Sequence, residues 1–387
     1  MHIGRLVVLV SILIISIGQS VDMYVPSMPH MVTALHTSES LIQLSMAIAL
    51  ISFGIAVFAW GPISDHYGRR APILAGIGIF ILGSLVCLFS RNIASLLIGR
   101  ALQGAGIGCA GVTASLAKDV LHGEKLIKAY SHISIAMSIV PVVAPVLGGY
   151  FQNYIGWHAT FAFLAAYASC VFLFILRKLP ETNSYKREGV LSFARAGMNY
   201  LNIFKTSSNL RYLFCFTAIF AGEISYCVIL PFIAQNTLGF TPVGNGWLIV
   251  VTATGLALGG FLSSKWSRLG WNKLLLGGLI IGTVGACAMV VCFLLGARGV
   301  FSIVLPMMLY MLGAGLIYPN CIAALMSSHP ERSGVMSSLL SGLQMLGAGC
   351  ILFVVAKFLM QDQSALAWML GALSVSALGV FLMGWRE

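Results

Sequence analysis

The sequence predicts an all-α integral membrane protein of twelve transmembrane helices, arranged as two pseudo-symmetric six-helix bundles. Three observations carry this prediction. Of 387 residues, 59% are hydrophobic and only 9% are charged, against about 25% charged in a soluble domain. Apolar runs near the roughly 20 residues needed to cross a bilayer recur from one end of the chain to the other. One polar connector, residues 177–210, separates residues 1–176 from residues 211–387, and each part holds six such runs.

Apolar windows place the spans at 6–32, 40–60, 72–90, 94–117, 125–151, 158–176, 211–236, 243–264, 273–296, 300–326, 333–357 and 364–385. The first window follows Arg5 and has the outline of a signal peptide. It lacks a small-x-small cleavage site and continues into a polar motif at Asp22, so it reads as an uncleaved first span. With the N-terminus inside, the inner connectors hold eighteen Lys and Arg, and the outer ones hold only Arg91, Arg298 and Lys357. That bias puts both termini in the cytoplasm.

The formal charge of +11 therefore reports orientation. The basic residues sit in short connectors and build no folded basic face, which excludes nucleic acid as a partner. The nine cysteines all fall inside apolar runs, with no C-x-x-C and no Cys/His cluster. They read as small buried apolar residues rather than a metal site or a disulfide framework.

A repeat links the two parts. Gly260–Gly270 follows the eighth span as Gly61–Asp65 follows the second, Gly313-Ala314-Gly315 echoes Gly104-Ala105-Gly106, and Glu223 stands 201 residues after Asp22. Matches at corresponding spans support duplication of a six-helix unit.

Chemistry concentrates in two places. The stretch Gly61–Pro72, GPISDHYGRRAP, packs Asp65, Arg69 and Arg70 between two apolar runs. Its glycines and prolines predict a polar hinge rather than a helix that runs straight through. Within the spans, Asp22 and Glu223 are acids and Arg100 is the matching cation. An ionisable residue there costs about 2.5–3.5 kcal/mol on insertion scales, so each is a functional candidate. A carboxylate in a dry cavity binds a proton more readily and releases it when water or a cation arrives. The competing reading of Asp22 is an ion pair with Arg100 that closes the bundle. No G-x-x-x-x-G-K-[ST], H-E-x-x-H or G-x-S-x-G occurs. The sequence thus predicts neither an enzyme nor a cofactor, and uphill work needs an ion gradient.

Four motifs carry a family resemblance. They are Gly61-x-x-x-Asp65-x-x-Gly68-Arg69-Arg70; Asp22-Met23-Tyr24-Val25-Pro26-Ser27-Met28-Pro29; Arg100-Ala101-Leu102-Gln103-Gly104; and Ala144-Pro145-Val146-Leu147-Gly148-Gly149. Together they resemble the major facilitator superfamily, specifically its drug:proton antiporter branch and the Bcr/CflA subgroup. The fourth motif departs from the pattern at Ala144, where that pattern has glycine.

The resemblance implies a monomeric carrier in the bacterial inner membrane, exporting small amphiphilic compounds in exchange for protons. It implies a link between Arg100 and proton coupling, the role that placement inside a span predicts for Asp22, with Glu223 as a second proton site or a cation contact. It also implies a conformational latch in which Arg69 pairs with Asp119 and Asp65 faces a helix N-terminus near Ser333-Gly334. Pro141, Pro145, Gly148 and Gly149 become the antiporter hinge.

Tyr24, Met23, Met137, Tyr226, Tyr318, Asn320 and Gln344 place aromatic, thioether and amide groups in the spans, a mixture that suits a tolerant cargo cavity. Packing and interfacial anchoring compete for the same side chains, and a packed neutral ring competes with a proton path for His132. A dedicated metabolite or siderophore exporter on the same scaffold is the alternative function, because cavity shape decides cargo.

Overall fold

The computed structural model describes residues 3–183, 207–328, 333–358 and 363–384. Within the expected connector, residues 184–206 lie outside this set, as do Arg332 and Arg386 among the residues used for orientation. Twelve helices among the described residues are long and apolar enough to cross a membrane. They are α1 (Ile3–Ala34), α2 (Glu39–Tyr67), α3 (Arg70–Leu88), α4 (Ile93–Val120), α5 (Gly123–Tyr154), α6 (Trp157–Lys178), α7 (Asn209–Thr237), α8 (Pro242–Lys265), α9 (Trp271–Leu294), α10 (Phe301–Ser327), α11 (Ser338–Lys357) and α12 (Gln363–Met383).

Local chemistry sets the helix ends. The Ser38 side chain accepts from the Leu41 amide and Glu39 occupies the first turn of α2, where an acid complements the helix dipole. Asn92 caps α4 by accepting from Ser95, and Thr241 caps α8 just before Pro242, the position where proline loses nothing.

The expected hinge at Gly61–Pro72 is much shorter than the sequence suggests. Helix α2 runs through Gly61 and Pro62 to Tyr67 and breaks only at Gly68, whose φ of 93° favours glycine. Tertiary packing overrides the local helix breakers, because α2 lies along α11 with Gly54 against Gly342 and Leu346. A proline costs a helix one hydrogen bond, and that loss is offset when packing holds the helix on both sides of it.

Three spans change their winding where chemistry concentrates. In α1, Ser16 and Ser20 hydrogen-bond back to the carbonyls of Ile12 and Ser16, a habit that bends helices. The next eight residues, Ser20–Ser27, tighten into a 3₁₀ segment that holds Asp22. Helix α4 tightens likewise over Gly108–Gly111, and α7 ends in a π-helical turn at Ile233–Thr237. Such interruptions recur at functional positions. Helix α5, in contrast, is unbroken through Pro141 and Pro145.

Buried side chains sort into two apolar clusters. One is carried mainly by helices before residue 183 and the other by helices after residue 207. Both use glycine at the same seven-residue spacing. Gly76 and Gly83 of α3 meet the backbone of α4, and Gly278 and Gly285 of α9 meet the backbone of α10, as small residues allow in lipid.

The glycine echo in α4 and α10 does not superimpose residue for residue. Gly104 packs on α2 and Gly106 on α3, whereas Gly313 packs on α9 and Gly315 on α8. The cysteine expectation also needs correction. Cys87, Cys109, Cys215 and Cys321 are buried, but Cys170, Cys287 and Cys350 are exposed on the outer surfaces of their helices. An apolar run facing lipid needs no protein neighbour, so apolar context alone does not imply burial.

Candidate functional site

Arg100 is wholly buried. Its guanidinium lies 4.2 Å above the Tyr24 ring centroid, donates from Nη1 to Gln103 Oε1 at 2.8 Å and from Nη2 to the Met46 sulfur at 3.2 Å. Gln103 in turn donates to Ser84 Oγ at 2.8 Å. Ser45 gives its proton to the Ile42 carbonyl, so the Tyr24 hydroxyl, 3.0 Å away, is the donor in that pair.

Among the described residues Arg100 forms no ion pair with a carboxylate, and its Nε has no partner. Its charge acts on Asp22 through space. The alternative in which a closed Asp22–Arg100 bridge staples the bundle is therefore not the arrangement observed. An aromatic face, an amide and a thioether stabilise the cation in place of a carboxylate.

Asp22 keeps part of its surface open, although Met23 to Ser27 after it are buried. What holds this segment is α5. A methyl at Gly148 would overlap the Met23 carbonyl oxygen, so only glycine lets α5 rest on the backbone next to Asp22. Gly149 faces the other way, with a methyl there falling 2.5 Å from the Pro242 carbonyl oxygen of α8. The two glycines thus serve different contacts, one to α1 and one between the two clusters. Pro145 belongs to the second contact, since its carbonyl meets Gly246 of α8.

Glu223 sits in the middle of α7, partly open while Gly222 and Ile224 are buried. Its Oε2 accepts from the Tyr318 hydroxyl at 2.5 Å, and the Tyr318 ring lies 4.9 Å from that of Phe216. Asp22 and Glu223 lie within electrostatic reach of one another.

At the end of the molecule that bears Gly149, polar contacts join the two parts. Gln235 donates to the Pro26 carbonyl at 2.8 Å, Asn236 to Glu39 at 3.1 Å, and Ser40 to the Ala356 carbonyl.

At the opposite end Arg69 is nearly buried and serves three acceptors, Asp119 at 2.8 Å, Asp65 at 2.7 Å and Ser64 at 2.8 Å. Gly61 contributes by accepting from Ser64. Arg70 donates to the Leu176 carbonyl of α6 at 2.6 Å. The expected receiver of Asp65, Ser333-Gly334, lies outside the residues whose side chains are described.

One residue of this cluster escaped the sequence reading. Glu181, just past α6, accepts from the backbone amides of Arg69, Arg70, Thr182 and Asn183. Partial burial raises its carboxyl, but these four amides outweigh that and hold it below the ordinary value of 4.5. It anchors the start of α3, and its carboxylate fills the space a side chain at Gly68 would need. The available signal was an acid standing directly after Lys178-Leu179-Pro180, in a connector otherwise biased to positive charge.

The expected cavity lining is partly overturned. Met23, Tyr24 and Tyr226 are buried within the protein. Met23 lies beneath α5, Tyr24 covers Arg100, and Tyr226 belongs to the second apolar cluster. Asn320 is also buried, bonding Ser263 at 2.8 Å and the Leu316 carbonyl at 2.7 Å. The Tyr24 hydroxyl and the Asn320 amide are spent on neighbours inside the fold, as buried polar atoms need partners. Tyr318 and Gln344 keep open surface, and Met137 is 47% exposed on α5. His132 is bound to the Lys128 carbonyl of its own helix.

The model of the Major Facilitator Superfamily matches residues 9–351. Among curated proteins, Multidrug resistance protein D of Escherichia coli is 26% identical over 92% of this chain and 90% of its own length. The Bicyclomycin resistance protein homolog of Haemophilus influenzae is 23% identical over 95% and 93%. The Chloramphenicol resistance protein of Pseudomonas aeruginosa is 29% identical over 70% and 65%. These relatives are consistent with the Bcr/CflA drug:proton antiporter subgroup. Among solved structures, a D-xylose-proton symporter matches with a TM-score of 0.78 at 17% identity, covering 97% of this chain and 96% of that one.

Proposed function

This chain belongs to the major facilitator superfamily, and from that premise we propose that it is a proton-coupled exporter of small amphiphilic compounds. The single observation that carries the reading is the setting of Asp22. It is a partly exposed acid in mid-span, within electrostatic reach of a buried arginine that among the described residues pairs with no carboxylate. Such an acid is not locked in an ion pair. The drug-resistance names of the relatives support efflux as the direction of transport.

In this reading the two apolar clusters are two domains, and both termini lie in the cytoplasm of a bacterial inner membrane. The chain works as a monomer. The contacts at Gln235, Asn236 and Gly149 support a sealed outer end. Asp22 takes a proton from outside after cargo has left and releases it inward when new cargo enters. Each charge moved down the membrane potential yields roughly 2.3 kcal/mol per 100 mV. Arg100 tunes Asp22, Glu223 supplies the second acid, and the Arg69–Asp65–Asp119 cluster latches the inner end when it closes.

Proton release from purified protein on adding neutral and cationic drugs, wild type beside Asp22→Asn, tests this. Release that vanishes in Asp22→Asn supports the assignment. Binding without release in the wild type refutes proton coupling, and release that persists in Asp22→Asn refutes the role of this carboxylate.

A further inference from the structure

The α2–α3 and α8–α9 loops stand at corresponding places in the two parts of the chain, and they treat charge in opposite ways. An even number of spans separates them, so they lie on the same side of the membrane. Counting 199 residues on from Gly61, Ser64, Asp65 and Arg69 gives Gly260, Ser263, Ser264 and Arg268. Both Ser64 and Ser263 are buried, so the register holds up to that turn. In the first loop Arg69 turns inward and pairs with Asp65 and Asp119. The second loop has Ser264 in place of Asp65, and it adds a 3₁₀ turn, Ser267–Leu269, before its positive-φ glycine, Gly270. Every residue from Ser264 to Trp271 is exposed.

No protein acid stands ready to replace Asp65. Helices α8, α9, α10 and α12 contain no Asp or Glu. Among the described residues no carboxylate pairs with Lys265, Arg268 or Lys273. The charge that α7 brings to this corner is another cation, Arg211, 4.9 Å above the Tyr212 ring, whose hydroxyl donates to Asn272 beside Lys273.

Charge alone suits water as well as a partner. What departs from a solvated loop is the apolar surface held out among the cations: Trp266, Leu269 and Trp271 are 46%, 54% and 42% exposed. Tryptophan favours the headgroup depth of a bilayer, its ring in the apolar region and its N–H toward water. Cations at that depth meet the negative potential of anionic lipid, and arginine grips phosphate through a planar fork of N–H donors.

We propose that the α8–α9 loop is a docking surface for an anionic phospholipid, whose phosphate takes at Arg268 the place that Asp65 and Asp119 take at Arg69. Lys265 and Lys273 flank the headgroup, and Trp266, Leu269 and Trp271 seat the loop at its depth. In the orientation proposed above the lipid comes from the cytoplasmic leaflet. The binding itself does not depend on the export reading.

The test is binding of phosphatidylglycerol and of phosphatidylcholine to the purified full chain in detergent, read by native mass spectrometry as the ratio of the two dissociation constants. A charge near an anionic surface is worth about fivefold, so the wild type is expected to prefer phosphatidylglycerol at least about tenfold. The triple variant Lys265→Gln, Arg268→Gln, Lys273→Gln is expected to bind the two lipids about equally. A second triple variant, Arg5→Gln, Lys125→Gln, Lys128→Gln, removes the same charge from exposed positions of α1 and α5 at the same end of the molecule and is expected to keep the preference.

A wild type without preference overturns the inference, as does a preference that survives the loop variant or falls equally in the second variant. Displacement of phosphatidylglycerol by equimolar glycerol 1-phosphate also overturns it, because the site then reads free phosphate rather than lipid. None of these outcomes bears on proton release, so the export reading stands or falls separately.

Discussion

The Gly149→Ala substitution isolates the contact between α5 and α8 from everything else in the fold. The added methyl lands 2.5 Å from the Pro242 carbonyl oxygen and 2.9 Å from Val243 Cα, both backbone atoms that no rotamer change can move. An unstrained carbon contact needs about 3.5 Å, so α5 and α8 must part by roughly 1 Å. Overpacking of this kind costs about 1–3 kcal/mol.

In the proposed transport cycle the contact exists only while this end is sealed, so the cost falls on the sealed state alone. The ratio of sealed to unsealed molecules then drops by about 5–150-fold. Spin labels on cysteines placed at Arg91 and Leu295, exposed loop positions beyond α3 and α9, report the separation in a background free of the nine native cysteines. Pulsed EPR is expected to show a longer-distance population in Gly149→Ala. Gly148→Ala is the internal control, because its methyl collides with Met23 inside one cluster and burdens both states. It lowers yield and thermal stability without favouring the longer distance. A well-folded Gly149→Ala protein with an unchanged distance distribution refutes the reasoning.

Other expectations follow from single side chains. Arg69→Lys loses the fork that reaches Asp119, Asp65 and Ser64 at once, and vesicle uptake is expected to fall at least about tenfold with the fold retained. Glu181→Gln removes a carboxylate held below its ordinary 4.5. A lowered folded value means the stabilisation is fully present above pH 4.5 and is lost as pH falls through the folded value. The thermal-stability gap to wild type should therefore be constant from pH 5 to 8 and close in stronger acid. Tyr24→Leu strips the aromatic face from a buried guanidinium and is expected to cost about 2 kcal/mol, measured by thermal unfolding in detergent.

Much of the site was legible, and what failed did so for identifiable reasons. Arg69 with Asp119 and Asp22 with Arg100 were readable because a charge in or beside an apolar span is rare enough to stand out. Glu181 was missed because an acid in a polar connector is unremarkable until its four amide partners are seen. Tyr24 and Asn320 were assigned to a cavity because tyrosine and asparagine in a span look alike whether they meet cargo or satisfy a neighbour. The Gly61–Pro72 hinge was overread because glycine and proline are local signals, and lateral packing against α11 outweighs them.

The sequence by itself determined the class of molecule and the number of spans, and it singled out the charged residues in and beside them. These depend on hydropathy and residue type, which are properties of the chain one segment at a time. Only the tertiary structure decided which glycine serves which contact, that Arg100 faces an aromatic ring rather than pairing with a carboxylate, and that Asp22 and Glu223 lie within electrostatic reach of one another. Those facts depend on how helices distant in sequence are rotated about their axes and set in depth. Close packing between nonlocal segments fixes that choice, and no window along one span contains it.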